Sequence, residues 1–135
     1  MCGICGIYDF AETKRINEQQ LKAMARSMQH RGPDDEDFYI NGNIGLGHER
    51  LSIIDLSDAA RQPMSNEDGR YWIVLNGEIY NYLELRQGLI GKGHKFKSHS
   101  DTEVVLHLYE DNGLDCLNRL NGIFAFAIWD NSEKT

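Results

Sequence analysis

At 135 residues the chain holds one domain's worth of sequence, enough to bury a core without disulfides or a structural metal. Hydrophobic residues make up 41% and charged residues 26%, the balance of an ordinary globular domain rather than a disordered or collagen-like chain. Lys and Arg total 14 against 21 Asp and Glu, and a net charge of −7 is the wrong sign for nucleic acid or an anionic membrane surface. No apolar run approaches the roughly 18 residues of a transmembrane helix. The opening MCGICGIYDF lacks the basic flank and long apolar stretch of a secretory signal. Three cysteines, an odd and small number, fit a reducing compartment, so a cytoplasmic location is expected.

In chain order, the alternation of Ile4, Gly6, Tyr8 and Phe10 predicts a strand that starts almost at the first residue. Asn17 is placed to cap a helix, with Gln20 at the capping-box position and Leu21, Met24, Ala25 and Met28 at helical spacing. Arg31-Gly32-Pro33 ends it near His30. Asn41-Gly42-Asn43 predicts a Gly-centred hairpin turn between a strand at Phe38–Ile40 and one opening at Ile44. Residues 55–69 are rich in turn formers and read as a surface loop. The run YWIVLN at 71–76 reads as a strand covered on both faces.

Asn81 is placed to cap a helix running through Ile90 and closed by Gly91, and His94–Lys97 reads as a short strand. Ser100-Asp101-Thr102-Glu103 is a capping box opening a helix with Val104, Val105 and Leu108 inward and Gly113 as its stop. A short helix around Leu114–Leu120 follows. GIFAFAIWD at 122–130 is apolar on both alternating faces, which predicts a strand covered on both sides. Hairpins interleaved with capped helices favour a layered α+β fold over a doubly wound one. The sequence stops just after this apolar strand, which reads as a domain lacking further strands.

Cys2 directly follows Met1. Removal of the methionine would leave a thiol and a free α-amine on one residue. Free groups of these types have pKa values of about 8.5 and about 7.7–8.0, so near neutrality the amine can take the thiol proton. Cys2 and Cys5 also form a C-x-x-C. A zinc site needs two further ligands at matched spacing, and Cys116 with His30, His94, His99 and His107 supplies none. A redox dithiol needs a helix N-terminus where this segment reads as strand. No metal site is expected, and Cys5 is expected to be a small packed residue.

Six ordered blocks carry a family resemblance: MCGI-x-GI at the start, RGPD at 31–34, GHERLSIID at 47–55, NGEIYN at 76–81, SDTE at 100–103 and NGIFAFAIWD at 121–130. Together they resemble the N-terminal glutaminase domain of glutamine-hydrolysing asparagine synthetases, class II amidotransferases with an N-terminal nucleophile, and the resemblance spans residues 1–135. It implies a four-layer αββα sandwich of two antiparallel sheets. It implies too that further strands and a separate synthetase domain, which would use ATP and Mg²⁺, lie beyond residue 135. For residues 1–135 no cofactor is implied.

The resemblance also implies roles. Cys2 would attack the side-chain amide of L-glutamine, with its own amine carrying the proton, to give a γ-glutamyl thioester. The Asn76 amide and the Gly77 N–H would form the oxyanion hole. Arg50 would hold the substrate α-carboxylate, the Ile54 backbone would line the pocket, and Glu78 and Asp101 would hold the α-ammonium. His48 is expected to be structural, the Arg31–Asp34 loop to shape the entrance, and Trp72 and Tyr80 to be core or pocket wall. A homodimer is one expected assembly, and the acceptor of the ammonia is left open between aspartate, another carboxylate and a polysaccharide. The competing readings are a non-catalytic binding domain of the same fold and a redox or metal module built on Cys2 and Cys5.

Overall fold

The first strand, β1 (Gly3–Tyr8), pairs antiparallel with β3 (Ile44–Arg50), and β3 pairs on its other side with β2 (Asp35–Asn41). This gives a three-stranded sheet of order β1-β3-β2. A computed structural model describes residues 2–135. The second sheet has the order β4-β5-β6, from β4 (Met64–Ser65), β5 (Tyr71–Ile79) and β6 (Gly122–Asp130), all antiparallel.

Alternation along β5 explains how the layers stack. Ile73 and Leu75 point one way, into a core with Val104, Val105, Leu106 and Leu108. Val74 points the other way, against Ile44, Leu46 and Trp129 between the sheets. Helix α1 (Glu18–Arg26) covers the outer face of the first sheet with Leu21 and Ala25. Helices α2 (Tyr82–Gly91) and α3 (Asp101–Asn112) cover the outer face of the second. The order is helix, sheet, sheet, helices: the expected αββα arrangement. No helix of the described residues is long and apolar enough to cross a membrane.

Several local expectations hold in detail. Asn17 caps α1 by accepting from the N–H groups of Gln19 and Gln20 at 2.9 and 3.3 Å. Ser100 caps α3 through the Glu103 N–H at 3.3 Å. The hairpin turn is the two-residue Gly42-Asn43, since Asn41 pairs with Ile44 and belongs to β2.

Others are corrected. Asn81 stands at the N-cap position of α2, where its carbonyl accepts from the Leu85 N–H, but its side chain makes no cap bond and instead bonds the Arg119 carbonyl and the Asn121 N–H, tying two loops together. His94–Lys97 forms no strand. Its backbone is drawn to the Glu103 carboxylate, which accepts from the Lys97 and Ser98 N–H groups rather than closing the capping box. The loop at 55–69 is not all surface, because Ala60, Gln62, Met64 and Asn66 are buried. Nor is β6 covered on both sides: Phe124, Phe126 and Ile128 pack inward, whereas Ile123, Ala125 and Ala127 are exposed. Apolarity on both faces of a strand is a licence for double burial, and only the neighbouring layers decide whether it happens.

Candidate active site

Strand register brings the first candidate residues together. Gly3 pairs with Glu49, so Cys2, one step earlier, falls level with Arg50 at the end of β3. The Cys2 Sγ sits between the backbone groups of Leu51, 3.4 Å from its N–H and 3.7 Å from its carbonyl. Arg31 donates from Nε to the Cys2 carbonyl at 3.0 Å, and Asp34 accepts from the Ser52 N–H at 2.8 Å. The Arg31–Asp34 loop therefore holds the main chain on both sides of the thiol. Gly32 permits this approach, since a methyl group there would lie 2.2 Å from the Glu49 carbonyl oxygen.

Where the ends of β3 and β5 meet the N-terminus of α3, a cleft of about 570 Å³ opens, counting its mouth. Cys2, Arg50, Ile54, Gly77, Glu78 and Asp101 all line it. Of the residues singled out in the sequence, Asn76 is not on its wall. The Asn76 Oδ1 is buried and has no hydrogen-bond partner among the described residues. A half-turn of the amide would bring its N–H₂ donor to the same place. Tyr80 is exposed and Trp72 stacks on Tyr39, so neither is cleft wall.

Arg50 is 7% exposed, yet no carboxylate among the described residues lies within 4 Å of its guanidinium. Its Nη2 donates to the Asp55 and Ser57 carbonyls, which fix the side chain without neutralising it. A buried cation left in this state costs several kcal/mol unless an anion joins it, on the order of magnitude known for uncompensated charges. Across the cleft, Asp101 is buried and its Oδ2 accepts from the Ile79 N–H at 2.9 Å. Burial, with Glu78 nearby, pushes the Asp101 carboxyl above its ordinary pKa. The cleft thus offers an unneutralised cation and an inward carboxylate, the complement of an α-amino acid.

Two wall residues, Gln62 and Asp55, had no role in the sequence reading, and a third, His48, was expected to be structural. Gln62 is buried, with Oε1 accepting from the Leu75 N–H at 2.6 Å and Nε2 donating to the Thr102 hydroxyl at 3.1 Å, so it stitches β5 to α3. Asp55 accepts from the His99 N–H at 2.7 Å and the Ser57 N–H at 2.8 Å, joining the Arg50 loop to the start of α3. Those hydrogen bonds hold its carboxyl at about 2. His48 is buried with Nε2 unpartnered among the described residues, and desolvation drives its pKa down to about 4, so the ring is neutral near pH 7. Asp55 and His48 stand inside the GHERLSIID block and were legible there as neighbours of Arg50; Gln62 gave no signal.

Cys2 and Cys5 form no disulfide, and burial together with the Glu49 charge raises the Cys5 pKa, the reverse of what a reactive redox thiol needs.

A family model for the glutamine amidotransferase domain matches residues 1–135. The chain belongs to this family. Among curated relatives, this amidotransferase domain is 43% identical over 135 residues to asparagine synthetase [glutamine-hydrolyzing] 1 of Bacillus subtilis (strain 168), covering 98% of the chain and 21% of that protein. It is 40% identical over 135 residues to asparagine synthetase [glutamine-hydrolyzing] 1 of Arabidopsis thaliana, covering 100% of the chain and 23% of that protein. The chain therefore spans about a fifth of the length of these relatives. Among solved structures it resembles glutamine phosphoribosylpyrophosphate amidotransferase from B. subtilis, with a TM-score of 0.57 and 29% identity over 67% of this chain and 22% of that one. An allosteric regulatory enzyme of purine biosynthesis gives a TM-score of 0.52 and 27% identity over 66% of this chain and 22% of that one.

Proposed function

We propose that this amidotransferase domain hydrolyses glutamine to glutamate and ammonia at Cys2, and that the ammonia feeds a synthetase portion outside residues 1–135 that makes asparagine from aspartate with ATP and Mg²⁺. The observation that carries the reading is the buried Arg50 without a carboxylate, set opposite Asp101 in the cleft that also holds the Cys2 thiol.

With Met1 removed, the Cys2 amine takes the thiol proton and the thiolate adds to the side-chain amide carbon of glutamine. The C=O π electrons move onto oxygen, and the Gly77 N–H and the Asn76 amide, turned as described, stabilise that oxyanion. Collapse breaks the C–N bond while the α-ammonium returns its proton to nitrogen, so ammonia leaves and a γ-glutamyl thioester remains. Water, deprotonated by the same amine, then adds to the thioester and expels the Cys2 thiolate with glutamate as product. Arg50 holds the α-carboxylate, Asp101 and Glu78 hold the α-ammonium, and the carbonyl edge at Ile54 borders the pocket. The identity to glutamine-hydrolysing asparagine synthetases supports aspartate as the acceptor over another carboxylate or a polysaccharide.

The test is glutamate release from glutamine by the chain after mass spectrometry confirms loss of Met1. Release abolished by Cys2→Ala in a folded protein is the expected result. Release that survives Cys2→Ala, or a folded Met-free chain that releases none, overturns the proposal.

A further inference from the structure

Away from the glutamine cleft, the second half of α3 gathers side chains that the proposed reaction does not use. His107 and Glu110 stand one helical turn apart on one face. The segment after α2 folds back over them and delivers His94, whose ring lies 4.8 Å from that of His107, centroid to centroid. Sequence spacing gave no hint of this, because His94 reaches the pair only through the irregular path of residues 92–98.

The two imidazoles present the same atom to the same oxygen. His107 Nδ1 lies 2.5 Å and His94 Nδ1 lies 3.8 Å from Glu110 Oε2. In two of the three residues the other atom is engaged as well. His94 Nε2 meets Asp111 Oδ1 at 2.9 Å, and Glu110 Oε1 accepts from the Asn66 amide at 2.6 Å. His107 Nε2 faces Glu103 Oε1 at 3.8 Å and Glu67 at 4.0 Å. That nitrogen is buried and unpartnered among the described residues, on a side chain only 1% exposed. Donors converging on a point, with His94 backed by the Asp111 carboxylate and Glu110 by the Asn66 amide, follow the pattern in which outer groups orient histidine and carboxylate ligands around a metal.

We propose that His94 Nδ1, His107 Nδ1 and Glu110 Oε2 form a three-ligand site for a divalent transition-metal ion of the zinc class. Two imidazoles and one carboxylate suit zinc and not magnesium or calcium, which take oxygen ligands. One ligand atom from each of the three residues can be chosen so that all lie within 4.8 Å of one another. A tetrahedral ion with ligands at about 2.0–2.1 Å needs them roughly 3.4 Å apart. His107 and Glu110 must part and His94 must close by about an ångström, which the irregular 92–98 segment permits. Of the three residues His94 also lines a shallow cleft with Glu67, Lys92, Gly93 and Lys95, and a water is the ligand expected in the fourth position. In the alternative, a proton shared by His107 and Glu110 holds the same pair and the Glu110 charge alone draws in His94; His107 Nε2 stays without a hydrogen bond in both cases, so the titration below decides between them.

The full chain, stripped with a chelator, is titrated with ZnCl₂ by calorimetry, and with Co²⁺ by visible absorption. One bound equivalent is expected, with no thiolate charge-transfer band on Co²⁺. His94→Gln and Glu110→Gln, checked for folding by near-ultraviolet circular dichroism, should weaken binding at least about 100-fold, and Asp111→Asn, which removes only an outer carboxylate, by about 10- to 100-fold. The Cys2→Ser/Cys5→Ser double variant should keep the equivalent. The proposal is overturned if wild type binds no equivalent, if His94→Gln binds as wild type does, or if binding disappears with the cysteines. Glutamine hydrolysis is not a readout here, so failure of this site and failure of the glutaminase reading are separate results.

Discussion

Asp101→Asn separates a substrate carboxylate from a mere helix cap. Asp101 is 5% exposed, begins α3 and lines the cleft with Arg50 and Cys2. In the proposed role of α-ammonium ligand it would make a hydrogen bond between charged groups, worth about 1.5–3 kcal/mol, so its neutral isostere should lower kcat/KM for glutamine about 10- to 150-fold, chiefly through KM. Stability should move the other way or not at all. The Ile79 N–H bonds Oδ2 at 2.9 Å, and an asparagine oxygen can still accept it. Losing a negative charge from the first turn costs about 0.3–1 kcal/mol. Against that, burial raises the carboxyl's folded pKa despite its hydrogen bonds, so the charged form is the less favoured one in the folded chain.

Since the folded pKa lies above the unfolded one, this charge destabilises the fold at neutral pH, and the penalty fades as pH falls through the folded value. The variant's Tm should therefore equal or exceed wild type by up to about 4 °C at pH 7, with the gap narrowing in acid. The assays are glutamate release against glutamine concentration and thermal melting from pH 7 to 4. A Tm drop of many degrees with KM unchanged would refute the reasoning.

Gly77→Ala should be among the most damaging single changes. Gly77 has φ +150°, and a methyl group there would lie 2.2 Å from the Ile123 carbonyl oxygen and 2.5 Å from the Phe124 Cα, both backbone. The β5–β6 ladder must open, and urea unfolding should show a loss above about 2 kcal/mol; a midpoint like wild type would contradict this. Arg50→Lys keeps the charge but not the geometry that reaches the Asp55 and Ser57 carbonyls, so KM for glutamine should rise at least about tenfold with little change in kcat, as steady-state kinetics can read. Asp55→Asn should cost up to about 1 kcal/mol at pH 7, because solvent screens this partly exposed carboxylate. The folded carboxyl titrates at about 2, below the unfolded value of about 3.9, so this stabilisation is present above pH 4 and lost as pH falls toward 2. Urea midpoints of variant and wild type should converge over that interval, and a constant gap would show that the carboxylate charge plays no part.

Much of the local structure was legible because it is local. Asn17 and Ser100 cap their helices through bonds spanning two or three residues, and Gly42-Asn43 turns the hairpin by its own backbone preference. The layered α+β class followed from the order of such elements. The composition of the cleft was legible in another way, since Cys2, Arg50, Gly77 and Asp101 stand in blocks with a known pattern. What those blocks could not convey is what surrounds them. Gln62 looked like one polar residue in a turn-rich loop, yet it is buried and bridges β5 to α3, because partners 13 and 40 residues away arrive only on folding. Asn81 had the chemistry of a cap and found better acceptors and donors at Arg119 and Asn121.

The exposed face of β6 and the cluster at His94, His107 and Glu110 mark the same boundary from opposite sides. An apolar alternation states which residues tolerate burial; the layer above decides which of them receive it, and Ile123 received none. Ligand spacing in sequence flags donors that recur at short fixed intervals, and here a segment without regular structure carries His94 to a helix from far along the chain. Short-range hydrogen bonding and backbone preference act before folding and can be read from the residues. Side-chain surroundings depend on contacts between distant segments, and those exist only once both sheets and their helices have packed.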